Sequence, residues 1–213
     1  MKPALLTLLA AAAALAGCSG DSSQRPAPPA PPPALSPEQQ AAALQRGKAI
    51  VAETFSLLSS NLQSAIQTSG VSNALPFCSL AASPLTAGMA AKHGVVIRRV
   101  THKARNPAGR ADAVELGVLQ SFAAALAAGA TTNPPPPLIT NLSANTATFF
   151  APIVLNQPLC LQCHGEPGRD ITPENLATIQ RLYPRDEATG FKLGELRGAW
   201  RIDFPLAALA PGG

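Results

Sequence analysis

The chain has 213 residues and a formal net charge of +4, with 13% charged residues; its hydrophobic content of 46% includes few bulky aromatics, namely seven Phe, one Trp and one Tyr. This length suits one domain with appendages, and the composition excludes collagen, a coiled coil and a polytopic membrane protein. The basic residues are scattered singly and in short pairs, so no basic stripe tracks a nucleic-acid backbone and no nucleic acid is expected as a partner.

Lys2 precedes an apolar run from Leu5 to Ala16, a signal-peptide pattern too short to span a bilayer as a mature helix. Leu15-Ala16-Gly17-Cys18 has the form of a bacterial lipobox, which makes residues 1–17 a signal peptide and Cys18 the site of lipid attachment. An ordinary secretory signal cut nearby is the plainer alternative. Acyl chains on Cys18 anchor a chain to a membrane without a transmembrane helix. Ser19, rather than Asp, after the cysteine points to the outer membrane, with the domain on the periplasmic side. Residues 18–35 form a linker: from Gly20 to Ala34 they are mostly Ser, Pro and Ala, which favour an extended polyproline spacer.

The remaining residues, 36–213, form a single domain. Ser36-Pro37-Glu38-Gln39 carries an N-cap, a proline at the first helical position and a capping-box Gln. Leu44, Val51, Phe55, Leu58, Leu62 and Ile66 then recur at helical spacing, and Gly70 supplies a stop. A second helical stretch covers Ala74 to Ala82, and a third runs from Ser83-Pro84 to Gly94. Val95 to Val100 is β-branched and reads as a strand. Asn106-Pro107 makes a turn, and Asp112 with Glu115 opens a helix whose Leu116, Leu119, Phe122 and Leu126 share a face. Gly129 to Pro137 is a loop with four consecutive prolines. Thr148 to Leu155 reads as a strand, Thr172-Pro173-Glu174 starts a short helix to about Leu182, and Trp200, Ile202 and Phe204 alternate in a last strand. Gly190 to Ala199 is expected to hold the hairpin partner of that strand. This order gives an α+β fold with a small antiparallel sheet.

Cys160-Leu161-Gln162-Cys163-His164 is a C-x-x-C-H sequence, which in an exported bacterial protein reads as covalent attachment of one haem c per chain. Two thiols at this spacing reach the two vinyl groups on one porphyrin edge, and the adjacent His lies under the iron. A structural zinc site competes poorly, because it needs four protein ligands and no second C-x-x-C exists. A thioredoxin-like pair would sit in a parallel α/β pattern that is missing here, and a plain Cys160–Cys163 disulfide leaves His164 unexplained. A porphyrin also completes a core that is short of aromatics, and the haem-free chain is then expected to be poorly folded.

With Cys18, Cys160 and Cys163 assigned, Cys78 is the cysteine left over. As a second axial ligand it would bind as thiolate and pull the reduction potential down; its plainer reading is an inert buried thiol. Met89, His93 and His102 are the other candidates, and an open sixth position is a further alternative. Arg98, Arg99 and Arg105 are candidates to pair haem propionates through a guanidinium fork.

Several segments together resemble the Tll-like c-type haem family, a domain of unknown function with a PAS-like fold. They are Phe77-Cys78, the stretch from Arg98 through Arg105-Asn106-Pro107, Pro152-Ile153, Cys160 to Gly165, and Tyr183-Pro184 through Gly190-Phe191 to Leu196-Arg197-Gly198-Ala199. Arg105 is the foremost candidate for propionate pairing because it lies in the Arg-Asn-Pro segment of this resemblance. The resemblance covers roughly residues 40–206, and the sequence departs from it at His102 and Gly109-Arg110. It implies an iron held by the motif His and by a Cys from the N-terminal helical region, here His164 and Cys78, and a sensor-like or redox-sensing role. The expectation is a lipid-anchored periplasmic monohaem cytochrome for redox or gas sensing or low-potential electron transfer. Its partners would be a redox or signalling protein and a small gas ligand. The alternative is a haem enzyme of peroxidase or reductase type, with an open distal side and His102 or His93 as acid-base group.

Overall fold

The computed structural model describes residues 34–129, 135–143 and 145–210. The signal peptide, Cys18 and nearly all of the proline-rich linker lie outside the described residues.

Helix α1 (Pro37–Leu80) begins at the expected capping box: the Gln39 amide donates to Ser36 Oγ at 3.2 Å, and the Ser36 amide donates to Gln39 Oε1 at 2.9 Å. Gly70 stops the first helical stretch as expected, at a non-helical φ of 76° and ψ of 171°, and the second stretch follows directly beyond this kink within α1. Helix α2 (Ala82–His93) follows with a 46° bend and stops at Gly94, whose φ of 63° suits a residue without Cβ. Among the described residues no single helix is long and apolar enough to cross a membrane. The buried stripe of α1 is Ala43, Gly47, Ile50, Thr54 and Leu58, whereas Phe55, expected on that face, is 58% exposed. Gly47 sets this rotation. A Cβ there would lie 2.5 Å from the Phe149 ring, so the ring packs directly on the helix backbone.

Strand β1 (Val96–Val100) leads to a 3-10 turn at Pro107–Gly109, capped by Asn106, and to helix α3 (Ala113–Ala127), where Asp112 and Glu115 form the second capping box. Then come β2 (Leu138–Ser143), β3 (Thr146–Val154), α4 (Pro158–His164), α5 (Pro173–Leu182) and β4 (Leu196–Pro205). The sheet is antiparallel in the order β1-β4-β3-β2, giving the expected α+β class with a small sheet flanked by helices. Two expectations are corrected. β4 has no hairpin partner in residues 190–195, which carry left-handed glycines at Gly190 and Gly194; it pairs instead with β1 and β3. β2, whose sequence Leu-Ile-Thr-Asn-Leu-Ser follows the proline run, is an additional strand.

Alternation along the strands separates two cores. Ile97, Phe149, Trp200, Ile202 and Phe204 face α1 and α2 with Ile50, Leu58 and Met89. Val100, Phe150 and Ala199 face α3 with Leu119 and Phe122. On the α3 side the fully buried Glu115 accepts from Arg98 at 3.0 Å and Arg201 at 2.7 Å, while Leu116, expected inside, is 37% exposed. Because β1 and β3 run antiparallel to β4, the end of β1, the end of β3 and the start of β4 meet at one edge of the sheet. The segments that follow or precede those three points build the site.

Candidate functional site

Seven residues of α4 carry the C-x-x-C-H motif directly after β3. Pro158 starts the helix and Gly165 closes it. A Cβ on Gly165 would lie 2.5 Å from Asp170 Cβ and 2.7 Å from the Leu161 carbonyl oxygen, so this corner of the chain admits only glycine without movement. The end of the helix is tied down by the 183–191 segment. The Phe191 amide donates to the His164 carbonyl at 2.9 Å, the Gly190 amide to the Gly165 carbonyl at 2.8 Å, and His164 Nδ1 lies 2.8 Å from the Ala188 carbonyl oxygen.

That last contact fixes the imidazole tautomer. A carbonyl only accepts, so Nδ1 carries the proton and Nε2 is left with its lone pair. Burial, reinforced by Arg197, Arg105 and Arg99, holds the His164 pKa well below its ordinary value, which keeps the ring neutral. His164 is therefore prepared as a metal donor through Nε2, with a backbone carbonyl as the orienting partner.

Arg105, which follows β1, braces this arrangement from the other side. Its Nε and Nη2 grip both oxygens of Asp186 at 3.1 Å, and Nη2 also donates to the Cys163 carbonyl at 2.6 Å. Asp186 in turn accepts from the Ala188 amide at 3.0 Å, so one buried ion pair positions both the end of α4 and the carbonyl that orients His164. The expectation that Arg105 is foremost in propionate pairing is revised by this geometry, since its fork already holds a carboxylate of the chain. Arg98 points to the opposite face of the sheet, at Glu115. Arg99 alternates to the α1 face, 5.9 Å over the Trp200 ring.

Cys78 lies on the part of α1 beyond the Gly70 break, the segment whose Leu75 packs with Ile171 and Ile179 and with Cys163. Cys78, Cys160 and Cys163 are free thiols, each partly accessible. Burial pushes the Cys78 thiol up, against the pull of Arg99 and Arg105, and pushes Cys163 to about 11. Cys78, Arg99, Arg105, Cys163, His164 and Arg197 lie near enough to one another for their charges to interact: Arg99 and Arg105 act on Cys78, Arg105 and Cys78 on Cys163, and Arg197, Arg105 and Arg99 on His164.

The donors gathered here suit an iron porphyrin: two thiols at the thioether spacing, an imidazole with a free Nε2, a further thiol, and guanidiniums for carboxylates. Among the described residues no three His, Cys, Asp or Glu converge as ligands. Of the other proposed iron ligands, Met89 is buried in the α1 core and His93 binds Glu53 at 2.8 Å. His102 stands edge-on to Phe191 at 6.0 Å, the same ring that His164 meets at 6.3 Å. Asp186, Ala188 and Phe191 were not legible as site residues. They lie more than 80 residues from Arg105 and have no local signature; the resemblance spans them without assigning them a role.

A solved structure described as that of the cyanobacterial heme-protein Tll0287 is similar to this chain, with 24% identity over 80% of this chain and 97% of that one and a TM-score of 0.49. No curated protein matches. The model of the Tll0287-like family matches residues 36–205, from the first helix cap to the last residue of β4, and the chain belongs to that family.

Proposed function

We propose that the protein is a lipid-anchored, periplasmic monohaem c-type cytochrome with His164 and Cys78 on the iron, serving redox or gas sensing or low-potential electron transfer. The observation that carries this is the His164 Nδ1 contact with the Ala188 carbonyl, which leaves Nε2 as the donor one residue after a C-x-x-C pair. Haem c, linked through Cys160 and Cys163, would supply an iron that alternates between ferric and ferrous. The chain's own part is to fix the imidazole, shield it from protons and place a sulfur in reach. Burial keeps the Cys78 thiol protonated against the pull of Arg99 and Arg105, and on iron the sulfur would be held as thiolate. A thiolate favours the ferric state and lowers the potential. The family is named for Tll0287, a cyanobacterial haem protein, and the reading comes to this chain through its own motif. Lipidation of Cys18 and the position at the outer membrane rest on the lipobox and Ser19.

A haem stain of the denatured protein is expected to be positive and to vanish in the Cys160→Ala, Cys163→Ala double variant. The ferric protein is expected to give a low-spin electron paramagnetic resonance signal of narrow g-spread, which Cys78→Ala abolishes. Persistence of that signal in Cys78→Ala would remove Cys78 from the iron. Peroxide turnover abolished by His102→Ala would favour the enzyme reading instead.

A further inference from the structure

We infer that Arg197 forms the binding site for a carboxylate of the prosthetic group. The inference rests on the haem reading above and adds to it the residue that recognises the ligand's charge. Arg197 opens β4 at the edge of the sheet where α4 and the end of β1 meet. Its Nη1 donates to Thr101 Oγ1 at 2.7 Å and to the Lys103 carbonyl at 3.1 Å, which fixes the guanidinium plane. That plane lies 5.5 Å from the centre of Phe191, the ring in edge contact with His164. Its Nε is buried and has no hydrogen-bond partner among the described residues, a cost that a bound acceptor would remove.

Charge points the same way. Arg99, Arg105 and Arg197 all act on the His164 imidazole. Asp186 is the one carboxylate with which any of the three forms an ion pair among the described residues, and it is held by Arg105. Arg197 is accordingly pressed down to about 10 by burial and by its cationic neighbours, and Arg99 is lowered by burial too. Three guanidiniums facing one carboxylate leave an excess of two positive charges. A ferric porphyrin core with a thiolate ligand is neutral, so the two propionates are the charges that balance the excess. Buried cations left uncompensated are strongly unfavourable, and guanidinium is the group that binds carboxylate in a fork.

The other charged groups facing Arg197 are His102 and Lys103 from the segment after β1, Asp186 and Glu195 from the loop before β4, and His164 from α4. The test is a redox titration of the haem-loaded protein between pH 5 and 8. Wild type is expected to give a flat midpoint potential, because carboxylates held by guanidiniums stay ionised. Arg197→Gln is expected to add a pH-dependent inflection and, at pH 8, to shift the equilibrium roughly tenfold toward ferric, about 59 mV for one electron. Arg197→Lys keeps most of the wild-type potential. His102 is the nearest other group able to titrate, its pKa lowered by burial, Arg197 and Lys103, so the series is repeated on His102→Gln, where the inflection is expected to persist; its disappearance assigns it to His102 and overturns the inference. An Arg197→Gln protein with covalent haem, an unchanged ferric spectrum and the wild-type profile also overturns it, and leaves the haem reading standing. A wild-type chain without covalent haem overturns the haem reading itself. Should Arg197→Gln fail to accumulate, an inflection in the His102→Gln protein with Arg197 intact decides against the site.

Discussion

A single hydrogen bond does most to define the chemistry of His164. The Ala188 carbonyl accepts from Nδ1, and the neighbouring arginines disfavour a second proton, so the ring is neutral when folded. The sign of the pH dependence follows. In the unfolded chain the imidazole protonates below about pH 6.5, whereas in the folded chain its pKa is far lower, so unfolding takes up a proton and stability is lost as pH falls below that value. Iron bound at Nε2 adds to this in the same direction. Urea unfolding at pH 7 and pH 5 is expected to show a lower midpoint at pH 5; equal midpoints would mean that His164 is accessible to protons in the folded protein. His164 and its cysteines were legible from the motif, because three residues at fixed spacing meet one cofactor edge. Its carbonyl partner was not, because any residue presents a carbonyl and only the fold selects Ala188.

Helix α4 has seven residues, too few to be stable alone. It exists because its two ends are held: Pro158 and β3 lead in, and Gly165, Arg105 and the 188–191 backbone hold its exit. Gly165→Ala forces a methyl group against Asp170 and the Leu161 carbonyl. The expected cost is about 1–3 kcal/mol, visible as a lower urea midpoint together with reduced covalent haem per chain; a variant with wild-type midpoint and haem content would show that the corner yields freely. The longer helices show which part of an element the sequence reveals. Both capping boxes, Ser36/Gln39 and Asp112/Glu115, were legible because they are closed within four residues. On α1, Leu44, Val51 and Leu58 pack on the core as expected while Phe55 is exposed, because Gly47 meets Phe149 across the fold and no periodicity of α1 alone contains that contact.

At the scale of the molecule, the antiparallel order β1-β4-β3 brings residues 99–105, 160–165 and 196–197 to one end of the sheet, and the break at Gly70 lets the last turns of α1 lie against α5 beside them. That end of the sheet gathers Arg99, Arg105 and Arg197 around His164 with Asp186 as the one ion-paired carboxylate among the described residues, and haem carboxylates would balance their charge. A haem-free chain, made as the Cys160→Ala, Cys163→Ala variant, is expected to melt about 10 °C lower than the loaded protein, the shift that corresponds to a few kcal/mol for a domain of this size. Equal melting temperatures would show that the chain closes its core without the group. The sequence by itself determined the α+β class, the helix caps, most strand positions and the cofactor motif, since each depends on residues close together in the chain. The tertiary structure decided the strand partners of β4, the presence of β2, and the separate tasks of the arginines. Arg105 and Arg197 share a composition and differ only in neighbours: one already grips Asp186, the other has its Nε buried without an acceptor. Pairing across the sheet is long-range and leaves no local trace, and charge balance is a property of the assembled end of the sheet.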